Sequence, residues 1–328
     1  MLEKSNPLFP SISPFDVRKI KVGDGHVLYL EQYGNPDGAP AVFLHGGPGG
    51  GCQSEQARLF DPGRYRIILF DQRGSGRSEP KRGLENNTTR HLVADMHFIR
   101  EHLELEQWLL VGGSWGSTLA LSYAEVHPNH VLGIVLRAVF LGSRREISWA
   151  FEKAAQIFYP ELWKQFVCVL PGSERHDPVS AYGARLSNPD PRVHLPAARI
   201  WSQFENALSS LEPRNVTLPN ILFDDAASTD LSGPNTPYLE WHYISHDCFL
   251  APNQLLHEAK NLIGIPGIIV QGRYDLLCPP TTAAELASLW PKCELRLIPA
   301  SGHSANEPAI RCALVAAVAD IYDKIKKS

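Results

Sequence analysis

Val111-Gly112-Gly113-Ser114-Trp115-Gly116-Ser117 is the stretch on which the reading of this chain turns. It holds Gly-x-Ser-x-Gly with Ser114 at its centre. Residues 108–111 ahead of it are a short apolar run, as in a buried strand, and residues 118–124 behind it read as a helix. A serine on a strand-to-helix turn is forced into a strained backbone and projects its hydroxyl outward. Glycines on both sides admit close backbone approach, and the helix N-terminus aims its amides at the same place. A glycine-rich turn that only packs would also carry the motif; its context makes Ser114 the candidate nucleophile.

Working outward, residues 41–44 form another compact apolar run that empties into His45-Gly46-Gly47-Pro48-Gly49-Gly50-Gly51. So many glycines let backbone N–H groups come close to something. With Ser114 as nucleophile, the amides of Gly47 (or Gly46) and Trp115 are the candidate oxyanion hole. A phosphate-binding loop is the competing reading, but the Gly-Lys-Ser/Thr ending and the dinucleotide spacing are missing. Residues 66–70 read as a strand ending in Asp71-Gln72-Arg73-Gly74-Ser75-Gly76, where Asp71 is expected to pair with Arg73 and fix the loop. Residues 16–22 and 27–33 alternate around Gly23-Asp24-Gly25, a hairpin signal at a sheet edge. Residues 88–103 carry Leu92, Met96, Ile99 and Leu103 on one helical stripe, and 131–139 read as a strand. Strands alternating with helices imply an α/β fold with a mostly parallel sheet.

From 141 to 250 the texture changes. Trp149, Phe151, Phe158, Tyr159, Trp163, Phe166, Trp201 and Phe204 sit among helix-like segments broken at 171–178, 188–191 and 224–237. This predicts a mainly helical cap over 141–250, its aromatics mostly its own core, inserted into a core domain of 1–140 and 251–328. The α/β pattern then resumes: strands at 266–272 and 295–298, helices at 281–289 and 310–325.

Composition narrows the function classes. Of 328 residues, 44% are hydrophobic and 20% charged, ample for a sizeable core, and a net charge of −4 gives no case for nucleic acid or an anionic membrane. Thirteen histidines show no His-Glu-x-x-His spacing, so neither metal nor cofactor is expected. Six cysteines without a Cys-x-x-Cys read as reduced thiols. The first residues are broken by prolines and lack a signal-peptide apolar core, and the best apolar run, 131–141, is interrupted by Arg137. A soluble cytoplasmic protein is the expectation.

Asp275 stands just past one late strand and His303 just past the next. Alone, each is ordinary: an acid that caps a helix, a solvated loop histidine. Ser114, Asp275 and His303 in that order, each beyond a strand end, form a candidate catalytic triad, because sheet ends are where distant loops converge. His303 would take and return the serine proton, and Asp275 would fix the imidazole tautomer.

Together, His45-Gly-Gly-Pro-Gly-Gly-Gly, Phe70-Asp-Gln-Arg-Gly-Ser-Gly-Arg-Ser, Gly112-Gly-Ser-Trp-Gly-Ser-Thr-Leu-Ala-Leu, Gly272-Arg-Tyr-Asp and Ser301-Gly-His-Ser resemble the proline iminopeptidase (prolyl aminopeptidase) family. The resemblance runs from about residue 16 to the end and thins over 168–198 and 207–236. It implies an α/β-hydrolase fold with a helical cap, and a peptide substrate with a free N-terminal proline. It also implies two cap glutamates for the substrate amine: Glu205, in Trp201-Ser202-Gln203-Phe204-Glu205, and Glu240, before Trp241-His242-Tyr243. A secondary ammonium entering a closed pocket loses water and needs anionic acceptors, which agrees. Arg137 and Phe140 match a stretch bordering the proline pocket, although Phe140 also suits a cap-hinge core. Ala150 stands where the family usually has an aromatic, Phe204 where it has Trp and Asn206 where it has Gly, which bears on side-chain selectivity. An esterase or amidase with an altered cap, and a non-catalytic binding protein of the same fold, are the alternatives. Cys52 and Cys278, near the oxyanion loop and Asp275, read as buried thiols, with a place at the pocket mouth as the other possibility.

Overall fold

Eight strands build one sheet in the order β1-β2-β4-β3-β5-β6-β7-β8 in the computed structural model, which describes residues 7–213, 217–218 and 234–326. β1 (Asp16–Gly23) and β2 (His26–Gly34) are the expected antiparallel hairpin at one edge, and β2 meets β4 (Tyr65–Phe70) antiparallel. From there on every neighbour is parallel: β3 (Ala39–Leu44), β5 (Trp108–Ser114), β6 (Val131–Val139), β7 (Gly267–Gly272) and β8 (Cys293–Ile298).

The central strands are apolar on both faces because both faces are covered. Val42, Leu44, Ile68, Phe70, Leu110, Ile134 and Leu136 turn to one side and join α1 (Thr89–His102), α2 (Trp115–Val126) and α10 (Pro280–Leu289). Their neighbours Ala41, Ile67, Leu69, Leu109, Val111 and Val135 turn to the other side, onto α11 (Pro308–Ile325). The α1 stripe is as read: Leu92, Met96, Ile99 and Leu103 are all buried.

Between β6 and β7 the described residues contain helices and no strand: α3 (Arg144–Ser148), a π-turn at Trp149–Lys153, α4 (Ala154–Phe158), α5 (Pro160–Cys168), α6 (Pro178–Leu186), α7 (Pro191–Ser209), α8 (Thr236–Ile244) and α9 (Gln254–His257). The break expected at 224–237 lies, up to 233, outside the described residues. Phe151, Phe166, Trp201 and Phe204 form a separate apolar cluster with Tyr182 and Leu208, and Trp163 and Tyr159 pack against it. Phe158, 54% exposed, and Trp149 stand outside it.

Two local expectations change. Arg73 does not pair with Asp71: its guanidinium forks onto both carboxylate oxygens of Asp95 in α1, each at 2.7 Å. Asp71 instead accepts from Arg77 Nε at 2.8 Å and from the Cys52 amide at 2.6 Å. The loop folds back on itself, so the acid at its start faces residue 77 and the Cys52 amide while Arg73 turns toward the helix.

The turn around Ser114 is close-packed. A Cβ on Gly116 would lie 2.1 Å from the Leu44 carbonyl oxygen, and one on Gly112 would lie 2.3 Å from the Gly116 carbonyl oxygen. Gly116→Ala should therefore destabilise the fold by about 3 kcal/mol or more, since backbone cannot yield as a side-chain tip does. Urea unfolding checks this; a midpoint equal to wild type would refute it.

Candidate active site

β5 delivers Ser114 at the N-cap of α2 with φ 56° and ψ −126°, a backbone that a non-glycine residue adopts only under constraint. The strand order reverses between β3 and β5, so the loops after these two strands flank one crevice at the carboxyl ends of the sheet. Asp275 follows β7 and His303 follows β8, at the same rim.

Asp275 and His303 meet. His303 Nδ1 lies 3.0 and 3.1 Å from the two carboxylate oxygens of Asp275. The carboxylate also accepts the amides of Leu277 (3.0 Å) and Cys278 (2.8 Å) and the Gln271 side chain (3.3 Å). Both residues are buried, so the pair is held from every side. Among the described residues no hydrogen bond joins the Ser114 hydroxyl to the His303 ring; the hydroxyl lies against the Cys278 thiol. Serine–histidine bonds are often unmade in free hydrolases and tighten on substrate binding.

Ser114 opens into a cavity shared with Phe140, Ala150, Glu205, Glu240 and Cys278. Gly47 and Trp115 line it and Gly46 does not, so of the two glycines Gly47 faces the space above the serine. As the first residue of α2, Trp115 has an amide without an intrahelical acceptor. Its indole donates to Gln72 Oε1 at 2.9 Å, and the Gln72 side chain donates to the His45 carbonyl at 3.0 Å. Gln72 thereby ties the turn to the glycine loop, a role not foreseen from Asp-Gln-Arg-Gly.

Glu205 and Glu240 both face this cavity. On α7, Trp201 and Glu205 are four residues apart and share a face. Trp201 Nε1 donates to Glu240 Oε2 at 2.7 Å, across to α8. The two carboxyls are neighbours in this cavity, close enough for each to feel the other's charge. Burial pushes both acids up from the ordinary glutamate range, and the neighbouring Glu205 raises Glu240 further.

A third acid on the wall, Glu146, is already committed. Its carboxylate accepts the Leu141 amide at 2.9 Å, the Ser143 amide at 3.0 Å and the Ser143 hydroxyl at 2.6 Å. Ser143-Arg144-Arg145-Glu146 is a capping box, a signal present in the sequence. Phe140 lines the cavity and packs against both the sheet core and the helical cluster, so its two readings hold together. Arg137 does not line the cavity. Its guanidinium covers Gly113 and donates to the His303 carbonyl, because its place in β6 is paired with Gly113 behind the serine turn. Cys278 lines the cavity and Cys52 does not; the Cys52 thiol is buried against the Phe70 carbonyl. Burial raises both thiols well above their usual range.

No group of three or more histidines, cysteines or acids is set to hold a metal ion among the described residues, and none of their helices is long and apolar enough to cross a membrane.

Comparison with known proteins agrees with this geometry. Residues 40–309 match the α/β hydrolase fold family model. A proline iminopeptidase of Xylella fastidiosa is 43% identical over 315 residues, covering 94% of this chain and 97% of its own. That of Arabidopsis thaliana is 44% identical over 94% of this chain and 80% of its own, and that of Neisseria gonorrhoeae 41% over 95% and 98%. Among solved structures, an esterase from Rhodococcus sp. superposes with a TM-score of 0.61 at 18% identity over 94% of this chain and 99% of its own. A Mycobacterium smegmatis proline iminopeptidase gives 0.58 at 19% over 95% and 99%. At such identities these two speak for the fold alone.

Proposed function

Because the chain belongs to the proline iminopeptidase family of the α/β hydrolases, we propose that it releases N-terminal proline from peptides with Ser114, His303 and Asp275 as its catalytic residues. The observation that carries this reading is a single cavity in which the strained Ser114 faces two carboxyls, Glu205 and Glu240.

The steps follow from the groups present. The substrate's secondary ammonium lies between Glu205 and Glu240, which puts the prolyl carbonyl over Ser114 and the ring against Phe140, Ile147 and Ala150. Ser114 Oγ attacks the carbonyl carbon as His303 Nε2 takes its proton. The oxyanion is held by the amides of Gly47 and Trp115, each such donor worth roughly 3 kcal/mol in the transition state. His303 then protonates the departing peptide nitrogen, leaving a prolyl ester on Ser114. Water gives its proton to His303 and attacks the ester carbonyl; His303 returns that proton to Ser114 Oγ as the ester bond breaks and proline leaves. Residues 141–250 act as the cap that closes the far side, so that only a chain end fits. We place the enzyme in the cytoplasm on the strength of its reduced cysteines.

Proline release from Pro-naphthylamide, with alanine naphthylamide and a neutral ester beside it, tests the reading. An esterase or amidase of altered cap specificity would prefer the ester. The cavity wall favours some breadth: Ala150 sits on the π-turn with its small side chain toward the ring site. Ala150→Phe should lower kcat/KM for a ring-enlarged (pipecolyl) naphthylamide relative to proline by about tenfold or more. An unchanged ratio would refute that role.

A further inference from the structure

The helix that carries Glu205 also grips the loop that carries His303. α7 ends at Ser209, whose carbonyl accepts the amides of both His303 (2.9 Å) and Ser304 (2.8 Å). Glu307 bridges the same junction. Its Oε1 accepts the Leu211 amide and its Oε2 the Gly302 amide, each at 2.8 Å. The two backbones touch: a Cβ on Gly302 would stand 2.9 Å from the Leu211 nitrogen. An acid at the N-cap of a helix such as α11 is ordinary, but neither oxygen of Glu307 caps its own helix; both are turned onto the strap.

The triad does not call for this strap, since Asp275 already orients the imidazole. What the strap adds is a rigid link. Glu205 lies four residues before Ser209, about 6 Å along the helix axis. An ammonium entering between Glu205 and Glu240 draws on both carboxyls, and any shift of α7 is handed to the His303 backbone through Ser209 and Glu307. The hydroxyl of Ser114 is not yet bonded to that imidazole.

We propose that Glu307 is a positioning residue that couples occupation of the amine site to the placement of His303 beside Ser114. This rests on the aminopeptidase reading above. A substrate with a free amine draws the base into line; a neutral acyl substrate does not.

The test compares wild type, Glu307→Gln and Glu307→Ala on Pro-naphthylamide and on p-nitrophenyl acetate. Coupling predicts that kcat for Pro-naphthylamide falls about 30-fold or more in Glu307→Ala, with KM moving far less and the ester losing much less. Glu307→Gln, which keeps one acceptor, should fall between; it carries the test if Glu307→Ala does not fold. Glu205→Gln added to a Glu307 variant should cost less than it does alone. Equal losses on both substrates, or additive losses in the double variant, overturn the coupling and leave the aminopeptidase reading standing. A wild type that cleaves the ester and not the naphthylamide overturns that reading, and the coupling with it.

Discussion

Ser114→Ala is expected to lower kcat for Pro-naphthylamide by about 10⁴–10⁶-fold. The hydroxyl is the only group that can form the prolyl ester, and without it His303 has no nucleophile to activate. The residual rate over water would come from the Gly47 and Trp115 amides and from amine binding. The substitution removes one oxygen that makes no backbone hydrogen bond among the described residues, so folding should survive, and circular dichroism with a thermal midpoint checks that it does. Wild type should also be labelled at Ser114 by a fluorophosphonate, and the variant should not. An unlabelled wild type would speak for a non-catalytic binding protein, and a variant with wild-type turnover would end the covalent mechanism.

Glu205→Gln is expected to lower kcat/KM for Pro-naphthylamide by about 10²–10³-fold, with a much smaller loss on a neutral ester. The size follows from leaving a buried ammonium without its anion, typically 3–5 kcal/mol, at 1.4 kcal/mol per decade. The pH dependence has a definite sign. Burial raises both carboxyls, so the fully protonated pair persists to higher pH than an ordinary glutamate would allow. As pH falls through that raised range the pair gains its second proton and loses its charge. Activity on amine substrates should therefore fail on an acid limb lying above the usual 4–4.5 of a carboxyl. Dividing the naphthylamide profile by the ester profile cancels the base common to both and isolates the pair. The limb should vanish in Glu205→Gln; a ratio flat with pH in wild type would rule out the amine clamp.

The legible parts of this site are those whose signal is local. Ser114 announces itself because a strand, a tight glycine turn and a helix must follow in sequence, and Gly112 and Gly116 are there because backbone passes within contact distance. Asp275 and His303 are legible because each follows an apolar strand. The Ser143–Glu146 capping box is equally local, a serine followed three residues on by a glutamate. Asp71 and Arg73 were misassigned because two charges two residues apart look like a pair until the loop's fold-back gives each a different partner. Arg137 fell on the wrong side of the serine turn for a similar reason: strand alternation says which face a residue takes, not which neighbour waits there.

By itself the sequence determined the layered fold and the places of Ser114, Asp275 and His303 at strand ends, because apolar periodicity and turn composition act over a few residues. Only the tertiary structure decided that Glu205 and Glu240 face one cavity, and that Glu307 ties the end of α7 to the loop of His303. Those depend on contacts between residues far apart in the chain, 39 for Trp201 and Glu240 and 96 for Leu211 and Glu307, where close packing, and not local preference, selects the partner.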